Sequence, residues 1–483
     1  MENTDKKNYS AALVTLTSLF FMWGFITCLN DLLTPYLKGV FELSHFEANL
    51  VQFAFFTAYF VISLIYFLVS TFYKDPIQRI GYKNTLVAGL VIAALACFLF
   101  YKEAGSDDPK FSLFLGALFL LGTGFTFLQI AANPLVSILG PSQTSSSRLN
   151  LSQAFNSLGT TLAPVVGGYF IFTYFKSDAN SANAVQIPYL VLASVLLMLA
   201  GVLFFSNVPN KVSTGGSAAS VKGAGALKHP YLVYGMLGIF FYVGAEVAIG
   251  NNLIGFMQGC YGLSTDVATT YLMFYWGGAM IGRFMGAISM SQMESSRKYL
   301  LMAVAGVLTT VIICCIAMNT KAEIEISQVA FFFVYLVLNY IIFISAKSLP
   351  SRTLGFFASI NILLLLTMIC FEGQVSLWAV LSVGLFNSIM FSNVFTLAID
   401  GLEEYTAQGS SLLVMMILGG AIVPPIQGYV TDKLPAESMQ YAFLVPLFCY
   451  IYLAWYGFVG SHIGKAKKIV VKQEEHPESI VLK

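Results

Sequence analysis

Apolar runs wide enough to cross a bilayer follow one another almost without pause from residue 11 to residue 460, separated only by short polar or charged stretches. A membrane-spanning helix needs about 20 predominantly apolar residues. That requirement predicts fourteen helices, at 11–37, 47–72, 84–101, 111–139, 149–175, 187–207, 231–258, 266–290, 299–318, 328–346, 354–371, 375–399, 409–431 and 438–460. Barrel strands would be about 10 residues long and strictly alternating, and these runs are neither. The expected fold class is all-α, a polytopic membrane protein.

Composition agrees. The chain is 57% hydrophobic and only 10% charged, with a mean hydropathy of +0.76, whereas soluble domains carry about 25% charged residues. The first run follows the polar MENTDKKNYS, is too long for a signal-peptide core and lacks a small-residue cleavage site, so it is expected to stay as the first helix. Basic residues crowd one set of loops (Lys6, Lys7, Arg79, Lys83, Arg148, Lys211, Arg297, Lys298, Arg352, Lys465, Lys467, Lys468) and are sparse on the other (Lys38, Lys102, Lys110, Lys176, Lys321, Lys433). Both termini are therefore expected in the cytoplasm, with a bacterial inner membrane as the expected location. Asp400, Glu403 and Glu404 depart from this pattern, forming an inner loop with no basic residue.

The longest inner loop, 208–230, is rich in Gly, Ser and Ala and reads as a flexible tether between an N-terminal half, 1–207, and a C-terminal half, 231–460; 461–483 is a polar tail. The halves repeat one another. Phe20, Phe21 and Gly24 recur as Phe240, Phe241 and Gly244, a spacing that also aligns Asp31 with Asn251. Gly124 and Asn133 recur as Gly384 and Asn393, and Pro164, Gly168 and Tyr169 as Pro424, Gly428 and Tyr429, at a larger spacing. The change of spacing places an insertion in the second half, and the runs at 299–318 and 328–346 supply it. The expected architecture is two six-helix bundles plus an inserted helix pair at about 299–347, which lacks a polar stripe and is expected at the lipid-facing or copy-facing periphery.

Two halves joined by a tether place a substrate site at their interface near the midplane. The first run carries Asn30 and Asp31; the seventh carries Tyr242, Glu246, Asn251 and Asn252. Gln129 and Asn133 lie one turn apart in the fourth, and Asn150, Gln153 and Asn156, spaced by three in the fifth, are expected to form a polar stripe. Later runs add Asn387, Asn393 and Gln427. A carboxylate at the bilayer centre costs roughly 2.5–3.5 kcal/mol, which makes Asp31 and Glu246 functional candidates by default. Either could bind and release a proton, or hold Na⁺ together with amide oxygens. Single amides serve equally well as interhelical glue, at about 1 kcal/mol each. Taken together with the aromatic faces of Trp23, Tyr59 and Trp276, they suit a polyhydroxylated ligand. No Lys or Arg falls at the estimated midplane, which argues against a phosphorylated or carboxylated one. Trp378 and Trp455, near run ends, fit an interfacial belt. Asp75 and Arg79 after the second run, and Arg283 near the end of the eighth, occupy repeat-related positions and read as gating ion pairs or as topogenic charge.

A net charge of +1 argues against a nucleic-acid partner, and the seven cysteines form no CxxC or zinc pattern. No GxxxxGK[ST], HExxH or GxSxG occurs, so neither ATP hydrolysis, a metal centre nor an enzyme is expected.

Several segments carry a resemblance: LNDLLTPYL (29–37), AANPLVSILGP (131–141), RLNLSQAFNSLGTTLAP (148–164), FFYVGAE (240–246), IGRFMG (281–286), GLFNSIMF (384–391) and GSSLLVMMILGGAIVPPIQGYVTD (409–432). With these the chain resembles the major facilitator superfamily, and within it the fucose/galactose/glucose permease group. The resemblance implies the major facilitator fold and sugar import by alternating access, with Asp31 matching the first-helix carboxylate of the fucose symporters. Those symporters have a glutamate where this chain has Gln129, and a glutamine where it has Glu246; the glucose/galactose branch is more similar at both places. The expected function is a secondary active transporter importing a neutral monosaccharide (a hexose or 6-deoxyhexose such as glucose, galactose or fucose) with H⁺ or Na⁺, without a resident cofactor and as a monomer. Coupling is expected at Asp31 and Glu246, substrate binding at Asn30, Gln129, Asn133, Gln153, Asn156, Asn251, Asn252, Asn387, Asn393 and Gln427, and gating at Asp75, Arg79 and Arg283. A passive facilitator and a non-transporting sugar sensor are the alternatives.

Overall fold

Helices occupy every predicted run in the computed structural model, which describes residues 9–43, 45–73, 75–169, 185–212, 223–318 and 326–465. Within these, the side chains at 30–36, 38–39, 45–49, 164–165, 167–169, 265–266, 326–328 and 436–437 lie outside the description. In chain order the helices are α1 (Ser10–Val40), α2 (His45–Phe72), a short α3 (Pro76–Ile80), α4 (Tyr82–Ala104), α5 (Phe111–Ile138), α6 (Ser145–Tyr169), α7 (Gln186–Phe205), α8 (Pro230–Tyr261) and α9 (Thr265–Ser289). They continue as α10 (Ser295–Met318), α11 (Ile326–Ser345), α12 (Pro350–Cys370), α13 (Gly373–Asn387), α14 (Met390–Ile399), α15 (Thr406–Met415), α16 (Gly419–Lys433) and α17 (Leu444–Phe458). Local chemistry sets several boundaries. Pro76, Pro230 and Pro350 open their helices, where a missing N–H costs nothing, and Gly262, with φ of 65°, closes α8 in the left-handed conformation.

The fourteen predicted runs differ in how closely they meet the length and hydropathy of a membrane span. Among the described residues, 11 segments are long and apolar enough to cross a membrane, with Val329–Ser345 a shorter apolar helix. The helices α6 and α9 fall outside that set; α6 carries Asn150, Gln153, Asn156, Thr160 and Thr161. Two predicted runs are also broken: 375–399 divides into α13 and α14, and 409–431 into α15 and α16 around a 3₁₀ turn at Met416–Leu418. The second break precedes Gly419 and Gly420, weak helix formers, and Gly419 presses against the Phe240 carbonyl where a Cβ would not fit.

The packing repeats. The helix α1 lies on α6 as α8 lies on α16; α4 packs on α5 and α7 as α12 packs on α13 and α17; α2 lies on α5 as α9 lies on α13. Repeat-related close approaches anchor these pairs, since a Cβ on Gly159 would meet the Phe21 carbonyl and one on Gly419 the Phe240 carbonyl. Small residues permit such backbone contact where apolar area alone gives helices no drive to associate in lipid. This correspondence leaves α10 and α11 over; α10 packs on the outside of α9, and α11 on α13 and α9.

The inserted pair is apolar on both sides. Ile313 reaches Gly277, Phe332 packs on Phe274 and Trp378, and the buried Asn339 amide donates to the Leu385 carbonyl at 3.1 Å. Leu300, Val304, Leu308, Val334 and Val337 face outward. Trp378 is thereby corrected: it is 0% exposed, with Nε1 donating to Gln374, because α11 roofs a surface that would otherwise meet lipid. Trp455 stays part-exposed beside Tyr234 and Tyr452.

The first repeat meets the second chiefly through α6 on α9 and α14, and through α2 and α5 on α15. The face carrying residues 9 and 465, the tether and the 400–405 loop is termed the terminal face. Contacts near it are dense: Ser146 Oγ to Thr396 Oγ1 at 2.6 Å, Ser147 Oγ to the Ala287 carbonyl at 2.6 Å, Ser410 Oγ to the Ile130 carbonyl at 3.0 Å and Gln78 Nε2 to the Glu404 carbonyl at 3.0 Å. The acidic loop also gains the basic partner its own sequence lacks, as Lys465 Nζ lies 3.1 Å from Asp400.

Gly384 tests the closeness of this packing. A Cβ there would sit 1.9 Å from the backbone oxygen of Tyr275, whereas one on Gly116 would meet nothing within 4 Å. Gly384→Ala is expected to destabilise by about 1–3 kcal/mol or more, because backbone cannot rotate away. Thermal unfolding in detergent should show a clear loss of Tm for Gly384→Ala and none for Gly116→Ala; equal Tm values would refute the contact.

Candidate functional site

Glu246 and Arg283, assigned separately to coupling and gating by sequence, form one cluster. Glu246 lies in α8 and Arg283 in α9, with Nη2 3.3 Å from Oε1 and side-chain exposures of 13% and 12%. Tyr242, one turn before Glu246 on the same face, donates its hydroxyl to that oxygen at 2.7 Å. Arg283 also donates from Nε to the Ser388 carbonyl at 3.0 Å, at the break between α13 and α14, where the interrupted ladder leaves carbonyls in need of donors. From Nη1 it reaches Ser157 Oγ on α6, in the opposite repeat. Ser157 donates its own proton to the Gln153 carbonyl at 3.1 Å, which leaves its lone pairs free to accept from Arg283. One guanidinium thus ties a carboxylate, a broken helix and the other half of the molecule together.

A second network backs the first. Tyr275 donates to the Glu246 carbonyl at 2.9 Å and accepts from Asn387 Nδ2 at 3.0 Å. The oxygen of Asn387 accepts from Asn361 at 3.0 Å and from Tyr450 at 2.7 Å. The Asn387 amide is therefore fully engaged inside the second repeat. Single donor bonds hold Asn156 (to the Phe20 carbonyl, 2.9 Å), Asn252 (to the Ala248 carbonyl, 2.8 Å) and Asn393 (to the Pro350 carbonyl, 3.2 Å), whose Oδ1 has no partner among the described residues.

The expected stripe of Asn150, Gln153 and Asn156 is not one face. Each step of three turns the helix back by about 60°, so Asn156 points to α1 while Asn150 meets Met290, which closes α9, at 3.5 Å. The face that meets α9 is instead Asn150, Ser157 and Thr161, whose hydroxyl reaches Met280.

Gln129 and Asn133 differ from the engaged amides. Both are buried, and among the described residues Gln129 Oε1 and both amide atoms of Asn133 have no partner. The buried Tyr59 hydroxyl has Gln129 and Trp23 as polar neighbours, and Trp23 is partly exposed. Aromatic faces and unsatisfied amides are thus adjacent in the first repeat. Gln427, on α16, is likewise buried, with neither amide atom partnered among the described residues. Asn251 is exposed, and Trp276 packs its ring on Gly250 beside it. Asn30 and Asp31 fall on α1, but their side chains lie outside the described residues.

Asp75 is buried, while Arg79 is exposed on α3. The Asp75 carboxylate caps α3, accepting from the Ile77 amide at 2.9 Å and the Tyr66 hydroxyl at 2.6 Å. Among the described residues the ion pairs are Glu246–Arg283 and Asp400–Lys465, so no Asp75–Arg79 pair forms in this state. Burial pushes the Asp75 carboxyl up from its ordinary value, against the bonds from Tyr66, Ile77 and Gln78. An acid raised by folding stabilises in its protonated form, a contribution lost as pH rises from the unfolded toward the folded value. Asp75→Asn keeps the acceptor and removes the charge. It is expected to raise Tm near pH 8, with the gain vanishing toward about pH 4, the ordinary range of aspartate; a variant less stable at pH 8 would reverse the assignment.

Sequence spacing could have paired Tyr242 with Glu246, four residues apart. Ser157, Tyr275 and Ser388 reach the site only through contacts 29 to 126 residues long in sequence, and no local signal marks them.

Comparison with known proteins follows the same lines. Residues 14–345 match the Major Facilitator Superfamily. A protein of Brucella abortus named glucose/galactose transporter is 40% identical over 465 residues, covering 95% of this chain and 96% of its own. The L-fucose-proton symporter of Escherichia coli is 27% identical, covering 92% of each. A crystal structure of that Escherichia coli fucose:proton symporter, described as in the outward conformation, superposes with a TM-score of 0.71 at 26% identity, over 93% of this chain and 98% of that one.

Proposed function

The chain belongs to the major facilitator superfamily, and we propose that it is a secondary active transporter that imports a neutral monosaccharide, a hexose or 6-deoxyhexose, by alternating access driven by a proton or sodium gradient. Residues 1–207 and 231–460 act as the two halves, in a bacterial inner membrane with both termini inside. The observation that carries this reading is that Gln129 Oε1 and both amide atoms of Asn133, one turn on, are buried without a partner among the described residues, with Gln129 neighbouring Tyr59. Buried polar atoms without partners are costly, and neutral donors and acceptors next to aromatic faces match the hydroxyls and apolar faces of a sugar ring. No cation stands among these three residues, which fits an uncharged solute.

Coupling is assigned to Asp31 and Glu246. Glu246 holds Arg283, and Arg283 holds Ser157 of the opposite half. Neutralising Glu246 with a proton, or screening it with Na⁺, would loosen Arg283, so occupancy by the ion and contact between the halves are linked. Asp31→Asn is expected to abolish accumulation while sparing exchange of bound sugar. Uptake of a labelled sugar panel into vesicles, with Na⁺ and pH varied independently, tests both parts. Uptake that only equilibrates in the wild-type protein would overturn symport, and wild-type accumulation by Asp31→Asn would remove that carboxylate from coupling.

A further inference from the structure

The end of the tether is docked rather than loose, and we propose that it is a latch holding the terminal face shut. Its anchor is Gln408, at the start of α15 and 0% exposed. Gln408 Nε2 lies 3.2 Å from the Gly223 carbonyl, 3.3 Å from Ser70 Oγ and 3.5 Å from Thr71 Oγ1, while Oε1 accepts from the Ala226 amide at 3.0 Å. The Gly223 amide in turn donates to the Thr71 carbonyl at 2.9 Å. Thus one buried amide joins the last turn of α2, the first turn of α15 and the tether between the halves.

The tether sequence is shaped for this seat. Gly223 adopts φ of 86°, a conformation that disfavours any side chain, and a Cβ on Gly225 would lie 2.1 Å from the Tyr405 ring. Ala226 is 0% exposed. The repeat gives a control for the role of Gln408. The spacing that relates Pro164 to Pro424 relates Arg148 to Gln408. Arg148 caps its own half, donating to the carbonyls of Val136, Ser137 and Pro141 at the end of α5. Gln408, at the equivalent place, reaches instead across the seam and into the tether.

Opening the terminal face must part α2 from α15. Gln408 then loses either α2 or the tether, and the half-buried Gly223 and the buried Ala226 lose their partners with it. The docked segment is therefore expected to release whenever this face opens. The inference needs only that the halves separate here, whichever solute and ion are carried.

The test uses the full-length protein in nanodiscs, carrying Ser146→Cys at the seam, and compares maleimide labelling at residue 146, resolved from that of the native cysteines by peptide mass spectrometry, with that of the same protein bearing Gln408→Ala or Gly225→Leu. Gly225→Leu blocks docking under Tyr405 and leaves the contact of Gln408 with α2 in place. Both are expected to raise the labelling rate by about tenfold or more. Faster labelling in Gln408→Ala alone would assign the lock to the α2–α15 contact and overturn the latch, as would no change in either. Hydrogen exchange of the unmutated protein gives an answer even where a variant fails to fold: the Gly223 and Ala226 amides should exchange at least about tenfold more slowly than free peptide, and free-peptide rates would overturn the proposal. Loss of sugar specificity or of ion dependence, by contrast, would bear only on the transport reading.

Discussion

Glu246→Gln is expected to reduce accumulation of sugar to simple equilibration while counterflow of preloaded sugar persists. The neutral amide mimics a permanently protonated acid: it keeps an oxygen for the Tyr242 hydroxyl but no longer attracts Arg283. The reorientation steps remain available and their link to the ion gradient is lost. Arg283→Gln tests the other partner and should be the more damaging to the fold. Removing one member of a buried pair leaves the other charge uncompensated, which costs about 3–5 kcal/mol; Arg283 additionally supplies the donors for Ser388 and Ser157. The double variant Glu246→Gln/Arg283→Gln should recover part of that stability, because no lone charge remains. Concentrative uptake and Tm on the three variants check this. Full accumulation by Glu246→Gln would remove it from coupling, and a double variant no more stable than Arg283→Gln would show that the two residues act independently.

Replacing Asn133 by Leu should weaken sugar binding by about 10- to 100-fold, the range of one or two lost hydrogen bonds to a buried ligand, without loss of stability. Leu reproduces the branching of Asn, and neither amide atom of Asn133 has a partner among the described residues. Exchanging an unsatisfied polar group for an apolar one of the same shape is neutral or stabilising. Asn393, its repeat mate, donates to the Pro350 carbonyl at 3.2 Å. Asn393→Leu removes the bond to Pro350 and should therefore lower Tm, which Asn133→Leu should not. Equilibrium binding of labelled sugar and thermal unfolding, measured on both variants, separate the roles. A destabilised Asn133→Leu with native affinity would mean that Asn133 is structural and that the sugar lies elsewhere.

Hydrophobic run length alone determined most of the secondary structure here, because a helix must satisfy its own backbone wherever lipid surrounds it. The repeat spacing likewise located the inserted pair: aligned motifs must occupy equivalent seats, and α10 and α11 are the helices left without one. The identities of Glu246, Arg283, Gln129 and Asn133 as candidates were legible for the same reason, since polar groups are rare and costly in apolar helices. Which of these groups are mutually satisfied was not legible. Asn387 and Asn133 look alike in sequence, yet one is held by Tyr275, Tyr450 and Asn361 and the other has no partner among the described residues. Nor could sequence order join Glu246 to Ser157 through Arg283, place Trp378 beneath α11, or seat the tether on Gln408. Periodicity reports which face of a helix is apolar; it does not report which helix that face meets, and only the tertiary packing decides which buried polar atoms are left for a ligand.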